Sequence, residues 1–474
     1  MILLRISVLL ALLFLAGVSR LDAGSYWPQF RGPNSSGVAD GDAPPVYFGP
    51  SSNVLWKIEL SSGSSSPCIW GDRIFLTAFD KGTIETLCVD RRDGKIRWRQ
   101  RAPAEKIEPN HALGSPAAST PATDGQRVYV YFGSFGLLAY DLDGNEQWRR
   151  PLTPPVVEFG AGTSPILAND RLILVCDQDL GSYLLAIDTR TGKTLWKTER
   201  PEFRRSFATP FVWRHDAEEE LVVPGSIWLK SYNLKDGSER WTYSGTSRVA
   251  CSSPTAGDGL LFSASWNIGG DEGARIKMPP FDESAREYDK NKDGKFTVDE
   301  LPNGPVRERF SQMDVNKDGV VTPEEWQDMA EMFARAGNAV LAIRPGGHGD
   351  ITKTHLAWKT TRSLPYVSSP LYYGGRLYTV KNGGLLSCYD ARSGKPLYQD
   401  ERVDAPGDYY ASMVAAGGKI YLASQNGLVL ALVAGDMLTV LARNDLGERI
   451  TATPAIVDGK LYLRTAGHFY AFGK

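Results

Sequence analysis

The chain is written in short apolar runs. "RIFL", "RVYV", "RLIL", "RLYT", "KIYL" and "KLYL" each follow a turn that usually holds Gly or Asp. β-Branched and aromatic residues bounded by turn formers predict strands rather than helices. These runs belong to a repeating unit, typified by "SSSPCIWGDRIFLTAFDKGTIETLCVDRRDGKIRW" (Ser64–Trp98). Its Ser/Thr-Pro start recurs at Ser66-Pro67, Thr120-Pro121, Ser164-Pro165, Thr209-Pro210, Ser253-Pro254, Ser369-Pro370 and Thr453-Pro454. "YYASMVAAGGKIYL" fills one further slot, with Met413 in place of proline. A segment such as "LCVD", "LAYD", "LAID" or "SCYD" follows, then a tight turn ("RRDGK", "LDGN", "TRTGK", "ARSGK"). The unit closes on Trp98, Trp148, Trp196, Trp241, Trp358 or Tyr398, and Leu441 is expected to take this place in the seventh copy.

Four short runs per unit predict four antiparallel strands. Proline is tolerated near the start of the first strand, where a ladder donor can be missing. The Asp-Gly turn supplies residues that accept positive φ. Such a sheet cannot cover both apolar faces alone, so copies must stack. The starts recur every 41–54 residues, except for one interval of 116 residues between Pro254 and Pro370. The last copy ends at "GHFYAFGK" without a closing aromatic strand, whereas "NVLWKIEL" (Asn53–Leu60) carries Trp56 with no unit before it. Ring closure resolves both, because the early strand completes the last sheet and no open edge remains. The expected fold is therefore all-β: an eight-bladed β-propeller of four-stranded antiparallel blades, with a small α-helical EF-hand insertion in blade 5. A seven-bladed ring is the alternative, if the weak seventh copy merges with a neighbour.

The "LAIDTRTGKTLW" type of repeat resembles the pyrroloquinoline-quinone (PQQ)-type propeller repeat of quinoprotein alcohol dehydrogenases and of the BamB-like lipoprotein of outer-membrane β-barrel assembly. "WPQFRGP" (Trp27–Pro33) is similar to the opening of exported propellers of this group. The resemblance spans nearly the whole chain apart from the long interval. It implies a fold more firmly than a function.

The long interval holds different chemistry. "DKNKDGKFTVDE" (Asp289–Glu300) and "DVNKDGVVTPEE" (Asp314–Glu325) both match the EF-hand loop, which needs oxygen ligands at positions 1, 3, 5, 7, 9 and 12 and glycine at 6. The first loop offers Asp289, Asn291, Asp293, the carbonyl of Lys295, Thr297 and Glu300, with Gly294 at the bend. The second offers Asp314, Asn316, Asp318, the carbonyl of Val320, Thr322 and Glu325, with Gly319 at the bend. Two Ca2+ sites are expected; Asx-rich turns that bind nothing are the alternative. Phe296 and Val321 occupy the apolar eighth position, where paired loops meet. "FDESAREY" is expected to enter the first loop as a helix. "EEWQDMAEMFARAG" is expected to leave the second, with Trp326, Met329, Ala330 and Phe333 on one face. Pro302, Gly304 and Pro305 should cut the helix between the loops to a stub. Each loop has three carboxylates, diluted by Lys292, Lys295 and Lys317, so affinity should fall at roughly 10⁻⁵–10⁻³ M. A structural clamp is expected rather than a switch.

The expected organisation is a signal peptide at 1–23, an N-terminal arm at 24–52, propeller at 53–266, the EF-hand pair at 267–337 and propeller again at 338–474. Arg5 precedes an apolar run from Ile6 to Val18 that is short for a membrane span. It reads as an export signal, with an anchor helix as the alternative. In "LAGV", Val18 stands where a lipidated cysteine would be. Net charge is −2 with no basic block, which argues against nucleic acid. Cys68, Cys88, Cys176, Cys251 and Cys388 are scattered and odd in number; Cys88 and Cys388 share one repeat position, as small core residues would.

Quinoprotein dehydrogenases carry PQQ with a calcium ion, a vicinal disulfide and a catalytic aspartate. No two cysteines here are adjacent and no aspartate matches by motif, so PQQ is not expected and no catalytic residue is assigned. "TGKT" (Thr191–Thr194) reads as a hairpin turn, since Ile187 stands where a phosphate loop needs Gly. The five histidines lack ligand spacing, and His111 lies in a loop between blades. "DAEEE" (Asp216–Glu220) reads as a solvated hairpin tip, and Trp27, Phe30, Tyr47 and Phe48 as a packed arm. The expectation is a periplasmic or secreted, non-enzymatic calcium-binding scaffold for a protein partner or envelope glycan. A PQQ-dependent dehydrogenase and a BamB-like assembly factor are the alternatives.

Overall fold

The computed structural model describes residues 26–474. The export-signal reading at 1–23 lies outside the described residues. No helix among the described residues is long and apolar enough to cross a membrane.

Eight four-stranded antiparallel blades form a ring, which excludes the seven-bladed alternative. Blade 1 is Cys68–Trp70, Arg73–Asp80, Thr83–Asp90 and Ile96–Arg101. The next six blades begin at Ala122, Ile166, Phe211, Thr255, Leu371 and Val414. Blade 8 takes three strands from the C-terminus (Ala455–Val457, Lys460–Arg464, His468–Phe472) and its outermost strand, Val54–Glu59, from near the N-terminus. Trp56 pairs with Ala471 there, so the ring is closed by backbone hydrogen bonds between its two ends.

Two recurrent devices join the blades. Near the axis, each Ser/Thr-Pro residue donates its backbone N–H to the hydroxyl of the same residue one blade on. Ser66 reaches Thr120 at 3.0 Å, Thr120 reaches Ser164 at 3.0 Å, and Ser164 reaches Thr209 at 3.2 Å. The relay continues from Thr209 through Ser253, Ser369 and Ser412 to Thr453. Proline cannot donate, so the N–H of the preceding residue is the one left to make this link. In blade 7 Met413 is buried, and the relay through Ser412 is kept without the proline.

Farther out, the closing tryptophan lies over the turn of the next blade. Trp148 Nε1 donates to the carbonyl of Thr189 at 2.9 Å, and Trp358 Nε1 to that of Ala391 at 2.9 Å. Within its own blade each tryptophan faces a small residue: Cys88 opposite Trp98, Ala186 opposite Trp196, Ala342 opposite Trp358. Cys388 opposite Tyr398 fits the same rule. A register shift sits beside each of these pairs, and such a bulge re-aims the side chain. In blade 7 the register places Ala442, not Leu441, opposite Ala431, correcting the expectation by one residue. Ala442 shares an apolar cluster with Phe48 of the arm, whose ring lies 4.6 Å from that of Phe472.

The turn glycine is doubly constrained. Gly394 has φ +70°, and a Cβ there would lie 2.5 Å from the Trp358 indole. Gly394→Ala is expected to cost about 1–2 kcal/mol for the left-handed backbone and roughly 1–3 kcal/mol more for overpacking. A urea midpoint unchanged from wild type would contradict this packing.

The arm crosses one end of the channel. Tyr26–Trp27 adds a strand to blade 1, Pro28 accepts from Thr123 of blade 2, and Gln29 accepts from Leu167 of blade 3. Arg31 donates to Pro370 of blade 6 at 2.7 Å, and Ala39 to Ala415 of blade 7. The packed-arm reading of Trp27, Phe30 and Phe48 thus has a physical reason, since one segment ties blades on opposite sides of the ring. Tyr47 is the exception at 69% exposed.

Glu220 corrects the reading of "DAEEE". Asp216 and Ala217 form the tip with φ +44° and +64°. Glu220, however, is fully buried and accepts from Ser231 at 2.6 Å and Trp241 Nε1 at 2.5 Å. This is a buried satisfied carboxylate rather than a solvated one.

Candidate metal centre

The insert leaves blade 5 after Leu260–Ser265 and returns at Ala339–Ile343, two strands that pair directly, Leu261 with Ile343. Helix Phe281–Tyr288 leads into the first loop, and a short helix Phe310–Met313 leads into the second. Pro302, Gly304 and Pro305 precede that short helix and keep it to a stub, as expected. Helix Pro323–Arg335 leaves the second loop and buries Trp326, Met329, Met332 and Phe333; Ala330 is half-buried.

Both loops have the same internal wiring, displaced by one loop period. Asp289 Oδ1 accepts from the N–H of Asp293 at 3.2 Å, and its Oδ2 from Gly294 at 3.0 Å. Asp314 does the same with Asp318 at 3.1 Å and Gly319 at 3.0 Å. The Asp293 and Asp318 side chains accept from the N–H groups of Lys295 and Val320, and Asn291 and Asn316 from those of Asp293 and Asp318. Glu300 Oε2 accepts from Thr297 N–H at 2.8 Å, and Glu325 Oε2 from Thr322 N–H at 2.9 Å. The Thr297 hydrogen bond holds the Glu300 carboxyl below its ordinary value. Phe296–Thr297 and Val320–Val321 pair as a two-stranded ladder, Phe296 opposite Val321, which sets the loops side by side.

These donors are hard oxygens on short side chains whose positions the loop N–H groups fix. The Asp289 and Asp314 oxygens each accept one hydrogen bond and keep a second lone pair, and oxygen-rich, flexible sets of this kind suit calcium. No group of three or more His, Cys, Asp or Glu side chains among the described residues is gathered as a metal cluster. The donor set in each loop depends equally on Asn, Thr and backbone carbonyl oxygens. Thr322 and Glu325 also form a capping box on the exit helix, so one glutamate serves both the loop and the helix start.

The insert is docked rather than free. Its core of Phe296, Met313, Trp326 and Phe333 is continuous with Ile227 of blade 4. Arg335 lies over the Trp228 ring at 4.6 Å, and Arg204 donates to Asp328 at 2.8 Å.

Beside it the channel opens into a cavity of about 450 Å³. All eight relay residues, from Ser66 to Thr453, line it, and Phe30 of the arm reaches it. Phe159, Phe207, Tyr366 and Tyr410 form apolar walls. Three arginines face it: Arg205 and Arg248 from the ring and Arg309 from the insert. Arg205 is neutralised by Asp179 (2.7 Å) and Glu158 (2.9 Å). Arg248 donates only to the amide oxygens of Gln312 (2.7 Å) and Asn267 (3.0 Å). Burial, then the charges of Arg309 and Arg205, lowers Arg248 to about 10. The lining holds one acidic residue, Glu308, and one cysteine, Cys251, whose thiol burial pushes up to about 12. No aspartate lines it, and no second cysteine stands beside Cys251. All five cysteines are free thiols. His111 is exposed, its ring tilted against that of Phe159 with centroids 4.8 Å apart.

Glu108 lies behind this wall, 5% exposed, accepting from Ala161 N–H at 3.3 Å. Burial raises its carboxyl from 4.5 to about 7. Between those two values the folded chain binds more protons than the unfolded chain, so stability falls as pH rises through that window. The loss is on the order of 1–3 kcal/mol. Glu108→Gln should flatten that slope, leaving stability near pH 4 little changed and raising it above pH 7. Coincident pH–stability curves for the variant and wild type would contradict the burial argument.

A family model described as outer membrane protein assembly factor BamB matches residues 46–223, 88–269 and 348–472, and an EF-hand model matches 306–330. The quinohemoprotein alcohol dehydrogenase ADH IIB of Pseudomonas putida is 23% identical over 192 residues, covering 37% of this chain and 27% of that protein. BamB of Alkalilimnicola ehrlichii is 28% identical over 163 residues, covering 32% of this chain and 37% of that protein. The chain thus spans only about a third of the length of these curated relatives. Among solved structures, BamB from Moraxella catarrhalis superposes with a TM-score of 0.55 at 13% identity, covering 89% of this chain and 99% of that one. A europium-containing methanol dehydrogenase superposes with a TM-score of 0.58 at 10% identity, covering 95% and 98%. At such identities the likeness is one of fold.

Proposed function

This chain belongs to the family of the outer membrane protein assembly factor BamB, and on that premise we propose that it is an exported, calcium-binding, non-enzymatic interaction scaffold of the cell envelope. The observation that carries the reading is the doubled loop: two identically wired oxygen sets, at Asp289–Glu300 and Asp314–Glu325, side by side on a ladder. The ligands would be Asp289, Asn291, Asp293, the carbonyl of Lys295, Thr297 and Glu300 in one loop. In the other they would be Asp314, Asn316, Asp318, the carbonyl of Val320, Thr322 and Glu325. A pair docked on blade 4 is suited to hold a surface in shape. The preformed wiring and the missing exit helix of the first hand favour a clamp over an opening sensor.

The propeller supplies the rigid surface, and the bound partner would be a protein of the envelope. The rival reading, a PQQ-dependent dehydrogenase, draws on the likeness to ADH IIB. The funnel chemistry weighs against it, because no aspartate base lines the cavity. The deciding experiment supplies the full chain with PQQ, calcium and an artificial electron acceptor. Dye reduction with alcohols is expected to stay at background, and retention of an envelope protein is expected to be lost on chelation. Alcohol-dependent dye reduction would overturn the scaffold reading.

A further inference from the structure

Arg248 presents an electrostatic imbalance. It is 8% exposed, and among the described residues no carboxylate lies within 4.0 Å of it. Amide oxygens of Asn267 and Gln312 satisfy two of its N–H groups, but they carry no charge, and its Nε has no partner. A buried cation without a counter-ion is costly. Arg309 adds a second positive group on the same cavity; its Nη1 donates to the carbonyl of Pro305 at 2.6 Å, and its Nε is likewise without a partner. Its carboxylate neighbour, Glu308, lies 3.6 Å away and is 71% exposed, too solvated to cancel the charge.

We propose that the funnel mouth binds a small oxyanion, a carboxylate or phosphate with an apolar body, between Arg248 of the ring and Arg309 of the insert, and that calcium in the second loop tightens it. Guanidinium groups are planar forks matched to carboxylate and phosphate oxygens. The cavity, about 450 Å³, falls within the range of small-molecule sites. Tyr366, Tyr410 and Phe207 offer the apolar body a wall, and the ring of Ser and Thr hydroxyls lies at its far side. An anion between the two cations also offsets their mutual repulsion, which adds to burial in lowering Arg248.

The calcium link rests on the calcium reading above and on chain geometry. Arg309 and Gln312 lie on the segment Arg307–Met313, which runs directly into Asp314. Asp314 N–H donates to the carbonyl of Phe310 at 2.8 Å. A cation that fixes Asp314 therefore fixes the segment that presents Arg309 and holds Arg248 through Gln312. Thermodynamic linkage then requires the anion to raise calcium affinity by the same factor.

The test is calorimetric titration of the full chain with phenyl phosphate and with benzoate, benzyl alcohol serving as the uncharged control. Wild type, Arg248→Gln and Arg309→Gln are compared in calcium and in chelator, with circular dichroism to confirm folding. Because Arg309 is at the rim, its variant keeps the proposal testable if Arg248→Gln fails to fold. The expected result is that at least one anion binds in calcium, that each variant weakens it at least about tenfold, and that chelation weakens it in wild type. No binding of either anion to wild type, equal affinity in the variants, or equal binding of benzyl alcohol would overturn the site. Equal anion affinity in calcium and chelator, with calcium binding measured directly, would overturn the link. Anion binding without any calcium binding would sink the calcium reading and the link with it, leaving the anion site.

Discussion

Trp56→Ala is expected to cost about 3–5 kcal/mol and to open the ring at its seam. The indole is 7% exposed, lies 5.4 Å from Phe469, and donates from Nε1 to the carbonyl of Arg91 at 2.9 Å. A Cβ on Gly94 would lie 2.9 Å from it, so this side chain seats directly on blade 1 while its strand belongs to blade 8. Other closing tryptophans also join two blades, but their strands follow by chain from the rest of their own blade. The seam lies inside blade 8: no chain joins Val54–Glu59 to the three C-terminal strands, and only their ladder with His468–Phe472, side-chain packing and hydrogen bonds hold them together. The buried Arg464 adds to it, donating to Thr77 at 2.7 Å and Ser61 at 2.8 Å. Hydrogen exchange should show Lys57–Glu59 and His468–Phe472 losing protection first in the variant. Uniform protection, with a denaturation midpoint within error of wild type, would contradict closure by this strand.

Glu325→Gln is expected to remove the second calcium site while preserving the fold of the exit helix. Glutamine still completes the capping box with Thr322, but it removes one of the three carboxylates that set loop affinity. Calcium at 100 times the dissociation constant should stabilise the wild type by about 2.7 kcal/mol per site, and the variant should lose the share of the second loop. Because Phe296 and Val321 pair across the loops, the first site should weaken as well. Glu325→Ala would lower stability even in chelator, since the cap goes too. Calcium protection equal in wild type and Glu325→Gln would refute the assignment of the ligand.

Much of this was legible in the residues. The Ser/Thr-Pro starts, the turn glycines and the closing aromatics mark each blade, because each performs an inter-blade task that few residue types can do. The orphan Trp56 revealed the closure for the same reason. The two EF-hand loops were legible because their oxygen-bearing residues lie within twelve residues of one another in each case.

What escaped the sequence depends on partners far apart in it. Ala442 rather than Leu441 stands at the aromatic position because a bulge shifts the register there, and Phe48, nearly 400 residues away, packs into the same cluster. Glu220 reads as polar surface until Trp241 and Ser231 are brought onto it. Arg248 and Arg309 share a cavity only because the insert folds back over blade 4. The arm read as packed, but its path across the ring is visible only in Arg31, buried and donating to Pro370.

The most direct test of the central claim is the calcium stoichiometry of the intact chain, by calorimetry or equilibrium dialysis after chelator treatment. The account predicts two ions per chain, bound at roughly 10⁻⁵–10⁻³ M, with one lost in Glu300→Gln and one in Glu325→Gln. No binding up to 10-fold above that range, or binding that both variants retain, would contradict it.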